Sequence, residues 1–179
     1  MNYIKISKYD TANGTGIGVV LWVSGCNCHC HGCHNPQTWD FNAGQLFTDD
    51  TMQEILKALD KPYISRLTFS GGHPLEPQNR ETVYKIIKAV KENFSNKSIW
   101  LYTGYAWEEI LDKEEKYENF EVNGISPLDI VKYCNILVDG RYEEDKRDIS
   151  LAWRGSSNQR VIDVQKSLKQ NKVVLWEEK

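Results

Sequence analysis

Between Cys26 and His34 the chain reads CNCHCHGCH, so four of its five cysteines and three of its four histidines fall within nine residues. Cys26, Cys30 and Cys33 are spaced C-x3-C-x2-C. Thiolates this close together can turn toward one metal centre, and soft sulfur selects iron–sulfur clusters, zinc or copper. A cubane cluster normally takes four thiolates, so this triplet would leave one iron open. Zinc also wants four ligands, and Cys28, His29, His31 and His34 offer extras. Adjacent ligands such as Cys28-His29-Cys30 are cramped, however, and no second C-x2-C pair occurs elsewhere. Spacing alone leaves both metals open. Disulfides fit poorly, because the run is dense and an odd cysteine is left over.

The elements around this loop read as alternating strands and helices. A near-continuous apolar run, Ile17–Ser24, leads into the first cysteine, as expected of a strand buried on both faces in a parallel sheet. Before it lie a short edge strand expected at Tyr3–Ser7 and the glycine-rich turn ANGTGIG, Ala12–Gly18. Asn35–Phe47 reads as an irregular excursion. A helix is expected from about Thr48, with Met52, Ile55, Leu56 and Leu59 on one face. Strands follow at Arg66–Ser70, Ser98–Tyr102 and Ile136–Val138. Helices are expected at about Arg80–Phe94, at Trp107–Leu111 and after Ser126, where Pro127 takes the first position. The charged stretch EEKYEN after Leu111 reads as a solvated loop. Val161–Leu168 is ambiguous between strand and helix, and Val173–Trp176 suggests a terminal strand.

This alternation argues for βαβ units and parallel strands, hence an α/β fold. Four strands end on glycine-containing or polar loops: SGC, SGGHP, YTGY and VDGRY. Ligands gather at the C-terminal ends of parallel strands, so all four loops are expected on one face. Paired glycines at Gly71-Gly72 would bring backbone groups close to a ligand without side-chain obstruction.

The 179 residues suit one domain spanning 1–179. Four or five βα repeats in that length predict a partial, open parallel barrel, since a complete eight-stranded one takes roughly 250 residues. A net charge of −3 gives no electrostatic case for nucleic-acid binding. No apolar run is long enough to cross a bilayer, and the N-terminus lacks the apolar core of a secretory signal, so a cytoplasmic protein is expected.

The cysteine triplet after an apolar strand resembles the signature of the radical S-adenosylmethionine enzymes. Five stretches carry the likeness further: WVSGCNCHCHGCHNPQTWDFNAGQLFT, LTFSGGHPLEPQN, IWLYTGY, ILVDGRY and LAWRGSSNQRVIDV. They resemble, in order, the family of anaerobic ribonucleoside-triphosphate reductase activating proteins, which are small glycyl-radical activases of the radical S-adenosylmethionine type. The resemblance implies a partial βα barrel of that type. It also implies one 4Fe-4S cluster on Cys26, Cys30 and Cys33, and S-adenosylmethionine held near Gly32, Cys33, His34, Gly71 and Gly72.

The chemistry implied is reductive cleavage of S-adenosylmethionine to a 5′-deoxyadenosyl radical, which takes hydrogen from a glycine in the large subunit of the reductase. An external one-electron donor such as flavodoxin is implied, and no general acid or base. Three departures stand out. His73 replaces the acid of the family's Gly-Gly-Glu or Gly-Gly-Asp motif. In ANGTGIG, Gly18 stands where related activases have an arginine and Thr15 where they have a proline. Cys28 matches no family ligand and Cys134 reads as core. RGSSNQR (Arg154–Arg160) is expected to bind the partner or close over the cofactor, with Arg154 and Arg160 available to the partner. The nearest alternative is an activase for another glycyl-radical enzyme such as pyruvate formate-lyase. A non-enzymatic zinc module or an iron–sulfur electron carrier is more distant.

Overall fold

The computed structural model describes residues 1–117 and 124–177. Seven strands form one sheet: β1 (Asn2–Asp10), β2 (Ile17–Val23), β3 (Gln45–Leu46), β4 (Ile64–Gly71), β5 (Ser98–Tyr102), β6 (Ile136–Asp139) and β7 (Arg160–Asp163). Among the described residues five α-helices accompany them: α1 (Asp49–Leu59), α2 (Pro77–Asn93), α3 (Trp107–Tyr117), α4 (Pro127–Val131) and α5 (Val164–Gln170). The strand order is β3-β1-β2-β4-β5-β6-β7. From β2 through β6 the neighbours are parallel, while β1 and β7 flank that core antiparallel. The architecture is therefore a mixed α/β sheet with a parallel centre. Among the described residues no helix is long and apolar enough to cross a membrane.

Side-chain alternation explains how the centre is buried on both faces. Along β5, Ile99 and Leu101 point into the main core with Leu67, Phe69, Val83, Ile87 and Ile110. Trp100 points the opposite way, into a second cluster with Ile136, Val138 and Val161, against which Tyr102, Trp153 and Trp176 pack. A period of two is the geometry of a strand. The helices cover one face and the aromatic cluster the other, so both sets of side chains leave water.

The helices begin where capping chemistry allows. Thr48 accepts from the Thr51 amide and so caps α1, whose Ile55 and Leu59 are fully buried. Ser126 and Asp129 form a capping box on α4, with Pro127 at its first turn. Pro77 opens α2 three residues ahead of the expected start, and Val83, Ile86, Ile87 and Val90 are buried as their spacing requires.

Several expectations need correction. The first strand is not at an edge, because it pairs with both β2 and the short β3, which lies within the supposed irregular excursion. Residues 114–117 of the charged stretch belong to α3, and 118–119 lie outside the described residues. The ambiguous Val161–Leu168 run is both things in turn: β7 up to Asp163, then α5, with the Asp163 side chain accepting from the Lys166 amide at the switch. Val173–Trp176 forms only an isolated bridge, Leu175 to Ile162.

Gly18 is explained by its neighbour across the sheet. It is in register with Arg66 on β4, and a Cβ at position 18 would lie 1.9 Å from an Arg66 guanidinium nitrogen. Arg66 is fully buried and donates to the Asp10 carboxylate at 2.8 Å and to the Thr68 hydroxyl. The space beside position 18 is thus filled by an arginine from the next strand, and Thr68 in turn donates to the Asn13 carbonyl in the glycine-rich turn. Gly18→Ala is expected to lower stability by about 1–3 kcal/mol, because a buried guanidinium has nowhere to retreat. The urea midpoint of unfolding measures this; an unchanged midpoint would show that Arg66 moves freely.

Candidate functional site

The cysteine loop starts where β2 stops and is closed at its base by backbone pairing. The Gly25 amide donates to the Thr38 carbonyl at 2.7 Å, and the Cys26 amide to the Trp39 carbonyl at 3.1 Å. Gly25 has a φ of +91°, and a Cβ there would strike the Phe41 ring, so the loop can fold back only with glycine at this corner. Thr38 is buried and its hydroxyl donates to the Asn35 carbonyl.

Three other strand ends meet this loop, as their sequences predict. A cavity of about 590 Å³ is bordered by Cys26, Cys28, Cys30 and Cys33, by Gly71 and Gly72 at the end of β4, by Thr103 and Gly104 after β5, and by Gly140 and Tyr142 after β6. Its size suits a small-molecule or cofactor site. His34 also lines it, its ring 5.3 Å from that of Tyr142. Gly32 does not border the cavity; its Cα faces the Glu144 side chain. The Gly72 amide is already donated to the Val23 carbonyl at 2.8 Å, and the His73 amide to Gly25. The glycine pair therefore packs against the end of β2, and the amide of Gly72 is not offered to a ligand.

The sulfurs sit among hydrogen-bond donors. The Cys28 thiol and the amides of Cys28 and His29 face Cys26, and pull its thiol down to about 7 despite partial burial. Its partner Cys28 is pushed up by its hydrogen bond to Cys26, by burial, and by the anion that Cys26 would place beside it. Cys28 is thus a thiol donor to Cys26. Burial raises the Cys30 thiol, opposed by the Tyr142 amide. The Asn35 amide donates to Cys33 Sγ at 3.4 Å. Cys134 is fully buried on the helical side and pushed up to about 12 by desolvation, so it is a core residue.

The donor set fits a cluster. Among the described residues no three Cys, His, Asp or Glu side chains meet at a single ion position. Cys26, Cys30 and Cys33 instead border one cavity, and a cubane gives each thiolate its own iron. Amides directed at the sulfurs are a recognised means of tuning such a cluster. His29 packs on Trp39 at 4.7 Å between ring centres.

Sequence reasoning passed over the group that holds the loop. Glu76 is 3% exposed and accepts from the Asn27 amide at 3.0 Å and the Asn27 side chain at 3.1 Å. It also contacts His73 Nδ1 at 3.1 Å. Burial would raise its carboxyl, but the donors His73 and Asn27 hold it below the usual range. Glu76 occupies the N-cap position of α2 without capping it, since its side chain is committed to the cysteine loop. A buried acid just before a helical proline was the available signal.

The RGSSNQR segment is knitted into itself. Gln159 accepts from the Gly155 and Ser156 amides and donates to the Gly140 carbonyl. Arg154 donates to the Gln159 carbonyl and lines the cavity. Arg160 is not set aside for a partner: it pairs with the buried Asp139 and with Glu108, joining β7 to β6 and α3.

The family described as a 4Fe-4S single cluster domain matches residues 12–162. The chain is 43% identical over 161 residues to the anaerobic ribonucleoside-triphosphate reductase-activating protein of Enterobacteria phage T4, covering 90% of this chain and 93% of that one. It is 40% identical to the protein of the same name from Haemophilus influenzae, over 89% of this chain and 96% of the relative. For the Escherichia coli K12 protein the identity is 37%, over 90% and 97%.

Two outcomes test the thiol assignments. Alanine at Cys26, Cys30 or Cys33 is expected to abolish bound iron, whereas Cys28→Ala and Cys134→Ala keep it, measured as iron per chain after anaerobic reconstitution. In metal-free reduced protein, Cys26 is expected to alkylate first as pH rises through about 7, followed by peptide mass mapping. Cys28→Ala removes a donor to that thiolate, so it should move Cys26 alkylation to higher pH.

Proposed function

The chain belongs to the family of anaerobic ribonucleoside-triphosphate reductase-activating proteins, and on that premise we propose that it activates the large subunit of an anaerobic ribonucleotide reductase by radical S-adenosylmethionine chemistry. The observation that carries the reading is the convergence of three half-buried cysteines with Gly71 and Gly72 on one cavity at the ends of parallel strands. Cys26, Cys30 and Cys33 would hold a 4Fe-4S cluster. Cys33, His34, Gly71 and Gly72 border S-adenosylmethionine, and Gly32 sets the turn between the last two ligands. When bound, the two cofactors would supply the one-electron chemistry by which a glycine of the reductase is activated.

The protein's own work is to bind, orient and exclude water. Glu76 holds the cysteine loop through Asn27, and the amides of Tyr142 and Asn35 stand against two of the sulfurs. Trp153 and Leu151 give the cavity an apolar wall, which limits water beside a reactive radical. Arg147 and Arg154 stand at the same cavity on the segment between β6 and β7, where charge-assisted bonds to the partner's glycine-bearing loop are available. We read the parallel centre of the sheet as the partial βα barrel of radical S-adenosylmethionine enzymes, and the chain as one domain. The enzyme is then a radical S-adenosylmethionine oxidoreductase of the cytoplasm, reduced by an external one-electron donor such as flavodoxin.

The test is anaerobic. Mixing the reduced, reconstituted protein with S-adenosylmethionine and the reductase is expected to give a glycyl doublet by electron paramagnetic resonance. Cleavage of S-adenosylmethionine with no doublet on the reductase, together with a doublet on pyruvate formate-lyase, would transfer the assignment to an activase of the latter.

A further inference from the structure

The side chains of the sheet stand in rows across the strands, and one row on the cavity side is unlike the rest. Val19, Leu21 and Val23 of β2, Leu67 and Phe69 of β4, and Leu101 of β5 point into the helical core. By alternation Trp22, Ser70 and Tyr102 point the other way. Trp22 is in register with Ser70, and Ser70 comes level with Tyr102 one step past the pair Phe69 and Leu101. All three border the cavity. Neighbouring strands lie about 4.8 Å apart, so the two aromatic side chains rise from backbones about 10 Å apart, with only a serine between them. The indole N–H of Trp22 donates to the Ser7 hydroxyl at 3.0 Å and is satisfied. The Tyr102 hydroxyl meets no hydrogen-bond partner among the described residues. Burial pushes this phenol up from its ordinary value, so it stands in the cavity wall as a donor. A tyrosine hydroxyl taken out of bulk water usually has an acceptor.

The wall that holds this donor leads to solvent. Tyr102 and Trp153 pack against the same aromatic cluster, and the wall continues through Leu151 to Ile149, which is 88% exposed and still borders the cavity. A macromolecule can therefore reach Tyr102 along this side, while the cysteines and the glycine pair form another border of the cavity. We propose that Tyr102 is a binding contact for the protein substrate: its hydroxyl donates to a main-chain carbonyl of the partner's glycine-bearing segment, which lies over Ser70 between the rings of Trp22 and Tyr102. This rests on the reductase reading above and names how that site holds its target. Glycine has no Cβ, so its main chain fits a recess between two rings that a larger residue would strike. Its carbonyls are unshielded for the same reason. The row thus admits bare main chain, and the phenol fixes where along the row that chain stops.

Tyr102→Phe tests this, because it keeps the ring and removes only the hydroxyl. In the anaerobically reconstituted variant the KM for the reductase, read from glycyl-doublet formation at saturating S-adenosylmethionine, is expected to rise about tenfold. The affinity for the reductase large subunit, measured without turnover by anaerobic titration calorimetry, is expected to weaken by the same factor of about ten. Iron per chain, and S-adenosylmethionine affinity by equilibrium dialysis, are expected to stay within about twofold of wild type. If either the KM or the affinity for the reductase is unchanged, the proposal fails, whatever happens to kcat. A loss of S-adenosylmethionine affinity in Tyr102→Phe also overturns it, since the phenol then serves the cofactor. Wild-type protein that raises no doublet on the reductase overturns the activase reading, and this proposal with it.

Discussion

One buried carboxylate organises the reactive end of this protein. Glu76 sits where three loops meet, and an ionised group there is tolerable because Asn27 donates to it twice and His73 Nδ1 stands at hydrogen-bond distance. Removing one partner leaves a buried charge short of a bond, so the positions of the loops are linked. Asn27 is fixed relative to His73, and His73 relative to Thr103. Asn79 adds to this by donating to the carbonyls of Ser24 and His73. The cysteine loop carries no regular secondary structure of its own beyond one short turn at Pro36–Thr38, so its shape depends on this network and on the closure of its base.

The sheet decides where that network can form. Parallel pairing from β2 to β6 places the ends of four strands on one side, and the residues that follow them become neighbours although they lie tens of positions apart. The antiparallel strands serve a different purpose. β1 supplies Asp10 for the buried Arg66, and β7 supplies Arg160 for the buried Asp139. Each closes one side of the parallel centre with a charged pair, although Arg66 Nε is left without a hydrogen-bond partner among the described residues. A surface pair such as Lys85 with Glu81 contributes little by comparison, since both groups are solvated.

The segment from Arg141 to Arg160 shows how a polar stretch without periodicity becomes structure. Tyr142 packs beside His34, its hydroxyl donates to Glu144 at 2.5 Å, and Glu144 lies over Gly32. Gln159 ties the far end of the segment to Gly140. Trp153, with a φ of +57°, packs edge-on against Trp100 and Trp176. A bulky residue in that backbone region is uncommon, and it lies on the cavity wall, where local strain is often retained for function.

What the sequence determined by itself was whatever depends on near neighbours. The cysteine spacing, the buried strands, the glycine-ended loops and the capped helices are local patterns, and Cys26, Cys30, Cys33, Gly71 and Gly72 stand together as those patterns require. What only the tertiary structure decided was the pairing of groups far apart in the chain. Gly18 is understood through Arg66, Arg160 through Asp139 and Glu108, and His73 through Glu76 and Thr103. The direction of the flanking strands belongs here too, because an edge-strand reading of β1 and a run ambiguous between strand and helix at β7 say nothing of direction until their partners are known. The reason is physical: a polar side chain's role is set by which donor or acceptor it meets after burial. That meeting is determined by sheet register, not by sequence distance.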